Sequence, residues 1–539
     1  MNGETPVLDI RGLTVSLPKG ADRDNAIEGI DLQVFPREII CVVGESGSGK
    51  SVTGHAVMGL LPKRELEPIA GSISLAGEAL LEKSSAELRQ LRGARMSMIF
   101  QEPFTALNPV VRVGGQIEEV LKIHTGMSAA ERRARVIEVM DDVRLPEPER
   151  LIDTFPHQLS GGQRQRIMIA AALALEPALL IADEPTTALD VTTQAQILTL
   201  IKDIQTSHDT GVLFITHDFG VVAEIADRVV VMQNGRVVEA GATNQVLTAP
   251  EHPYTQMLIG SVPSLIPKTR EGMIDDDAVL ATKDLAKTYR SSGLFQKTRE
   301  VQAASNVTIS LKRGETLGIV GESGSGKSTV ARCIVRLIDP TSGAILIDGE
   351  DIANLPMNRL HYYRRKLQIV FQDPYRSLNP RRTVGQSIIE GPMNFGMERK
   401  AALTRAKELM GLVGLDPNAL DRLPHQFSGG QRQRICIARA LAMQPEILIA
   451  DEAVSALDVS VQAQVLDLLD DIKKQFNLAM LFITHDLRVA AQVCDRIAVM
   501  QQGEVVEQGP AKTVFSSPAH AYTRALFEAA PGRKLSVTT

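Results

Sequence analysis

Two short stretches of this chain, 38–43 (EIICVV) and 316–320 (TLGIV), are apolar at nearly every position. That is the pattern of strands covered on both faces, as in a parallel sheet. Each runs into a glycine-rich stretch and then into a helix-like run, Val52 to Leu60 and Thr329 to Leu337. A β-rich start precedes them, with strands expected over Val7 to Leu17, Ile30 to Val34 and, further on, Gly71 to Leu75. Helical periodicity follows. Ser128-Ala129-Ala130-Glu131 is a capping box opening a helix that reaches about Val143. Its later counterpart runs from Lys400 to Met410 and is expected to stop at Gly411. The apolar strand pattern then resumes at Ala178 to Ala182 and Val212 to Thr216, between helices.

The glycine-rich stretch is the same in both places. Gly44-Glu45-Ser46-Gly47-Ser48-Gly49-Lys50-Ser51 returns as Gly321-Glu322-Ser323-Gly324-Ser325-Gly326-Lys327-Ser328. Both fit the P-loop pattern, in the strand–loop–helix context that the pattern requires. Glycines leave no Cβ between the amide N–H groups and a polyphosphate, and the helix N-terminus adds its dipole. Lys50 and Lys327 are placed to reach the β- and γ-phosphates, and Ser51 and Ser328 to put a hydroxyl on Mg²⁺. Val52 and Thr329 complete the nucleotide-contacting set.

The repeat continues well past the loops. Phe100-Gln101 matches Phe371-Gln372, and Ser160-Gly161-Gly162-Gln163 matches Ser428-Gly429-Gly430-Gln431. Asp183-Glu184 matches Asp451-Glu452, and His217 matches His485. Ser160 to Asp183 and Ser428 to Asp451 are both 23 positions; Asp183 to His217 and Asp451 to His485 are both 34. This is a duplicated domain: residues 6–265 and 278–531, joined by a short polar linker, 266–277, with a tail at 532–539. A carboxylate at the C-terminal edge of a parallel strand faces the nucleotide crevice, so Asp183 and Asp451 can hold Mg²⁺. Glu184 and Glu452 follow directly and can polarise an attacking water as general bases.

These motifs in this order resemble the ATP-binding cassette family, and the resemblance covers nearly the whole chain twice. It implies an α/β fold of tandem P-loop NTPase domains. Each would have an antiparallel β-subdomain, a parallel-sheet RecA-like core and a helical subdomain. Ser160 to Gln163 and Ser428 to Gln431 are similar to the family's signature motif, with serine and bare glycine amides at the N-terminus of a helix expected over Gln163 to Leu175. The resemblance assigns His217 and His485 to the γ-phosphate. It assigns Gln101 and Gln372 to Mg²⁺, water and the membrane partner, and Asp190 and Asp458 to coupling between two sites. It also implies two cassettes packed head to tail as an intramolecular dimer. ATP would lie between Lys50, Glu184 and His217 and the opposite Ser428 and Gly430, and again between Lys327, Glu452 and His485 and the opposite Ser160 and Gly162.

Three positions depart from the pattern. Tyr289 can stack on adenine in the second copy, where the first has Leu17. Losing that face should cost about 0.5–1.5 kcal/mol of nucleotide binding. Phe427 replaces the signature's leucine, and Ala453 stands where Pro185 follows the acid pair, which should loosen the turn at Glu452. The expectation is two hydrolytic sites of unequal strength.

Composition narrows the setting. With 539 residues, 44% hydrophobic and 23% charged, the chain reads as a soluble multidomain protein. Its longest apolar run, Ile167 to Ala182, is broken by Glu176 and Pro177 and is short for a bilayer span. The start of the chain shows no secretory signal. A formal charge of −6 argues against nucleic acid as the main partner, and the basic, aromatic run His361 to Lys366 reads as a solvated or protein-facing surface. Cys41, Cys333, Cys436 and Cys494 lie far apart and form no metal or disulfide framework.

Three function classes compete: the motor of a membrane importer, a soluble twin-cassette factor acting on ribosomes or nucleic acid, and a non-transport switch. The linker is short for the soluble translation factors, and the zinc-binding cysteine pairs of the DNA-repair member are missing. Pro250 to Thr255 and Pro518 to Thr523 resemble the tail of the oligopeptide, dipeptide and nickel importer branch, which favours the first class. Its fused twin cassettes serve glutathione, dipeptide or peptide-antibiotic importers. The implied partners are two transmembrane permeases and, through them, an external substrate-binding protein. ATP and Mg²⁺ are the implied cofactors, and the cytoplasmic face of the membrane the location. Physical chemistry gives no reason why peptide transport needs that tail; this step is analogy.

Overall fold

A computed structural model describes residues 5–63, 65–186, 189–268, 277–293, 296–455 and 457–532. Ala188 and Ala456 of the coupling loops, most of the linker and most of the tail lie outside them. The chain divides at Ser261–Val262 into two units.

In the first unit the alternating pattern at the start gives an antiparallel sheet in the order Asn25–Val34, Leu8–Ser16, Glu67–Leu75, Glu78–Ala79. The unbroken apolar runs give a second sheet in the order Arg236–Ala242, Arg228–Gln233, Ile39–Val43, Gly211–Ile215, Leu179–Asp183, Met96–Ile99. It is parallel except for its edge strand Arg236–Ala242. Every residue of Ile39–Val43, Gly211–Ile215 and Leu179–Asp183 is buried. Leu8, Ile10 and Leu13 of the antiparallel sheet share one core with Ile40 and Val42 of the parallel one and with Val57 of the helix Lys50–Val57. That shared core fixes the glycine loop between the two sheets.

The second unit repeats the plan, with Leu367–Val370, Ile447–Asp451, Ala479–Thr484, Thr316–Val320, Arg496–Gln501 and Glu504–Pro510 in that order. Leu280, Leu285, Ile319, Val330 and Ile449 join its sheets in one core. In both units the register brings neighbouring strand ends level: Asp183 pairs with Ile215, and Asp451 with Ile483. The chemistry-bearing residues therefore leave the sheet at one edge.

The helical segments form largely as the pattern requires. Ser128 and Glu131 exchange both bonds of the capping box ahead of the helix Ala129–Asp142, a cap that contributes about 1 kcal/mol. The counterpart helix, Arg399–Leu412, runs through Gly411 rather than stopping there. Its stop is Gly414, at φ +70°, where the Leu415 N–H reaches back to the Met410 carbonyl. Just after the division between the units, the Gln492 amide donates to the carbonyls of Ser264 and Ile266, and the Lys268 N–H to Ala491. All four cysteines are buried. Among the described residues no helix is long and apolar enough to cross a membrane. In the basic patch, Lys366 is ion-paired to Asp348 and Glu446, at 2.7 and 3.0 Å.

Candidate nucleotide site

The helix after the first glycine loop begins at Lys50 itself, and that of the second at Lys327, two residues earlier than the pattern suggests. The cap positions are Gly49 and Gly326, both left-handed and without a side-chain cap. A Cβ on Gly44 or Gly321 would stand 2.2 Å from the Met232 or Met500 carbonyl oxygen, at φ +151°. Packing alone therefore requires these glycines. Lys50 is 5% exposed, and its ammonium donates to the carbonyls of Gly44 and Glu45 at 2.8 and 2.9 Å. Lys327 does the same with Gly321 and Glu322, at 2.8 and 2.7 Å. Carbonyls carry only partial charge, so an incoming phosphate is the stronger acceptor for a buried ammonium. The Ser48 hydroxyl is buried with no hydrogen-bond partner among the described residues. A buried donor without a partner and a cradle that a Cβ would fill both fit a bound polyphosphate.

Beside the loop, the Ser51 hydroxyl donates to Asp183 Oδ1 at 3.0 Å, and Ser328 to Asp451 Oδ1 at 2.9 Å. Burial pushes both aspartate carboxyls above their usual pKa, against the serine bonds that lower them, and the neighbouring Glu184 and Glu452 add to the rise. A carboxylate under that pressure, next to a hydroxyl, is a hard-oxygen pair short of positive charge. Mg²⁺ suits such a pair, provided that phosphates and water supply most of its shell. Among the described residues no cluster of three or more acids, histidines or cysteines could hold a metal unaided.

Glu184 and Glu452 sit at φ +47° and +49°, a left-handed conformation that side chains other than glycine rarely adopt. Sequence pattern gives no signal of this. Their N–H groups bond to Ile215 and Ile483, each at 2.9 Å, so the sheet holds the strained residue in place. The turn takes each carboxylate off the strand line toward the neighbouring strand's histidine. His217 Nδ1 lies 3.1 Å from Glu184, and His485 Nδ1 3.4 Å from Glu452. Gln101 and Gln372 donate to the same glutamates at 3.0 and 2.7 Å. Burial disfavours charge on both partners of the second pair. The hydrogen bond and opposite charge nevertheless outweigh it, holding Glu452 below and His485 above their usual pKa. The expected loosening beside Ala453 is not found: the φ and backbone bond of Glu452 match those of Glu184, which precedes Pro185, because the anchor is Ile483, not the proline.

The signature helices span Gly161–Leu173 and Gly429–Leu441, again two residues earlier than expected. Ser160 and Ser428 are their N-caps, each in a full capping box with Gln163 or Gln431, which pulls both glycines into the first turn. The two glycines differ. A Cβ on Gly162 would come 2.8 Å from Thr193, and one on Gly430 2.3 Å from Val461. A Cβ on Gly161 or Gly429 would meet nothing within 4 Å among the described residues, so the local packing does not require them bare.

The units also differ from one another. Asp190 caps the helix Val191–Ser207, its carboxylate accepting from the Thr193 N–H at 2.9 Å, and Asp458 stands at the head of Val459–Phe476. Tyr289 is 42% exposed, with the Lys287 ammonium 5.3 Å from its ring centre. In the first unit, Arg23 donates to the Gly47 carbonyl of the glycine loop.

The sequence matches the family described as ABC transporter over residues 27–187 and 304–455. It matches the oligopeptide/dipeptide transporter C-terminal region over 238–287 and 506–534. It is 47% identical over 557 residues to the glutathione import ATP-binding protein GsiA of Salmonella typhi, covering 97% of this chain and 89% of that protein. The GsiA of Escherichia coli O157:H7 is 46% identical over 563 residues, with the same coverage. A solved dimer of the ATP-binding cassette MJ0796, in a post-hydrolysis state with ADP and Pi, is 32% identical over 43% of this chain and 98% of that one, at a TM-score of 0.40.

Proposed function

The chain belongs to the ABC transporter family and carries its ATP-binding cassette twice; from that premise we propose that it is the ATPase subunit of an importer for peptides or peptide-like compounds, glutathione among them. The observation that carries this reading is the match to an import ATP-binding protein over 97% of the chain. It is joined by a peptide-transporter tail region after both cassettes.

In this reading the loop amides, Lys50 and Lys327 bind the phosphates. Ser51 with Asp183, and Ser328 with Asp451, would hold Mg²⁺, which neutralises charge on the β- and γ-phosphates when bound. Glu184 and Glu452 accept a proton from the attacking water, and His217 and His485 orient the glutamate and the γ-phosphate. Gln101 and Gln372, hydrogen-bonded to those bases, change partner when the attacking water takes their place. That makes them the natural relay to a membrane subunit.

Each ATP is sandwiched between one cassette's loop and the other's signature, so Lys50, Glu184 and His217 work with Ser428 and Gly430, and Lys327, Glu452 and His485 with Ser160 and Gly162. ATP closes the cassettes and turns two permeases, and hydrolysis resets them. The chain sits at the cytoplasmic face of the membrane, and cargo reaches the permeases on an external binding protein.

The test is reconstitution of the chain with its permeases in vesicles. Binding protein loaded with reduced glutathione or a dipeptide should accelerate ATP hydrolysis several-fold over the unloaded form. Turnover indifferent to every loaded binding protein, together with co-sedimentation with ribosomes, overturns the importer reading.

A further inference from the structure

The segment after each cassette is built onto the nucleotide loop by one chain of contacts that occurs twice. In the first unit Glu239, on the edge strand, accepts from the N–H groups of Glu251 and His252 at 2.9 and 3.1 Å. His252 caps the helix Pro253–Gly260, its Nδ1 accepting from the Tyr254 N–H at 3.2 Å. Tyr254 is 5% exposed, and its hydroxyl accepts from the Glu45 N–H of the glycine loop at 3.1 Å while lying 3.3 Å from the Glu45 carboxylate. In the second unit Glu507 holds Ala519 and His520, at 2.8 and 3.0 Å. His520 caps Ala521–Glu528 at Tyr522, and the Tyr522 hydroxyl accepts from the Glu322 N–H at 3.2 Å.

We propose that Tyr254 and Tyr522 are positioning residues for nucleotide, so that the C-terminal segment of each cassette is a brace for its own glycine loop. The peptide group between Gly44 and Glu45 is gripped from two sides. Its N–H, that of Glu45, is held by Tyr254 and its carbonyl, that of Gly44, by the Lys50 ammonium at 2.8 Å. The peptide group between Gly321 and Glu322 is held likewise by Tyr522 and Lys327. When the lysine leaves that carbonyl for a phosphate, the tyrosine bond stays, and the loop keeps the curvature that aims its later N–H groups at the anion. Without the hydroxyl, the lysine's departure leaves each end of the peptide group one bond short, and nucleotide binding must restore the loop's shape at its own expense. Glu45, at the second position of the first loop, fits the same design, since its carboxylate faces the Tyr254 phenol. The inference rests on ATP binding at these loops and is independent of the cargo.

The test uses the full chain with the variants Y254F, Y522F and the pair, titrated with the fluorescent nucleotide mant-ATP and assayed for ATPase. Phenylalanine keeps the buried ring and removes only the hydroxyl. The pair should bind mant-ATP about three- to tenfold more weakly, the size of one net hydrogen bond at each site. KM should rise with kcat little changed, and the apo melting temperature should shift by no more than a degree or two. Each single variant should weaken one of the two sites only. Wild-type affinity and KM in the pair overturn the brace. So does a loss of affinity that tracks a large fall in apo melting temperature, because the phenol is then mere packing. Failure of the unmodified chain to bind mant-ATP would instead overturn the nucleotide reading itself.

Discussion

Alanine at the first and at the second signature glycine should separate ligand approach from packing. A Cβ on Gly430 would stand 2.3 Å from Val461 Cγ1, and one on Gly162 2.8 Å from Thr193 Cγ2. Carbon atoms rest at about 3.5–4.0 Å, so the side chains must change rotamer or their helices must back away. Overpacking of that kind costs about 1–3 kcal/mol, which in domains of this size lowers Tm by roughly 2–10 °C. Gly161 and Gly429 have no neighbour among the described residues within 4 Å of the Cβ position and lie outside the left-handed region. Alanine there is favoured for helix formation by up to about 1 kcal/mol, so Tm should hold or rise. Turnover should fall nonetheless. If these N–H groups meet the phosphate of a nucleotide held by the other cassette, pushing one away costs about 1.5–3 kcal/mol, or about tenfold to a hundredfold in rate. The assay compares the pairs G161A/G429A and G162A/G430A by calorimetry and by steady-state ATPase of the chain reconstituted with its permeases. Wild-type turnover in G161A/G429A, or a fall in its Tm matching that of G162A/G430A, refutes the argument.

Two further outcomes follow from the site. The second cassette carries Tyr289, the residue expected to stack on adenine, where the first has Leu17; on that expectation E184Q, aimed at the first site, should retain more ATPase at sub-saturating ATP than E452Q. Equal residual rates would remove the asymmetry. The Glu452–His485 pair makes apo stability depend on pH. His485 is held above its ordinary 6.5, so its contribution is complete below that pH and is lost as pH rises through the folded value. Glu452 is held below its ordinary 4.5, so its share is complete above that pH and is lost as pH falls through the folded value. The Tm difference between wild type and H485Q should therefore be largest at about pH 5–6 and shrink in alkali; a difference that is flat from pH 5 to 9 rules out the ion pair.

Much of this was legible in the chain because local chemistry carried it. Glycine, serine and lysine at fixed spacing, unbroken apolar strands and capping boxes each act over a few residues, and duplication displayed every signal twice. Errors of two residues at the helix starts came from capping: Ser160 with Gln163, and the left-handed Gly49, begin the helix before the apolar period does. Gly411 does not stop its helix because glycine in mid-helix costs only about 1 kcal/mol, while the left-handed Gly414 is what ends it.

By itself, then, the sequence determined the duplication, the glycine loops, the acids at strand ends and the α/β plan, all set by near neighbours. Only the tertiary structure decided that Gly162 and Gly430 are bare for packing while Gly161 and Gly429 face open space. It alone placed Glu184 and Glu452 in a strained turn anchored by the next strand, and Tyr254 on a loop 209 residues away. Those relations depend on which backbone atoms lie against one another across the sheet, and no local pattern encodes that distance.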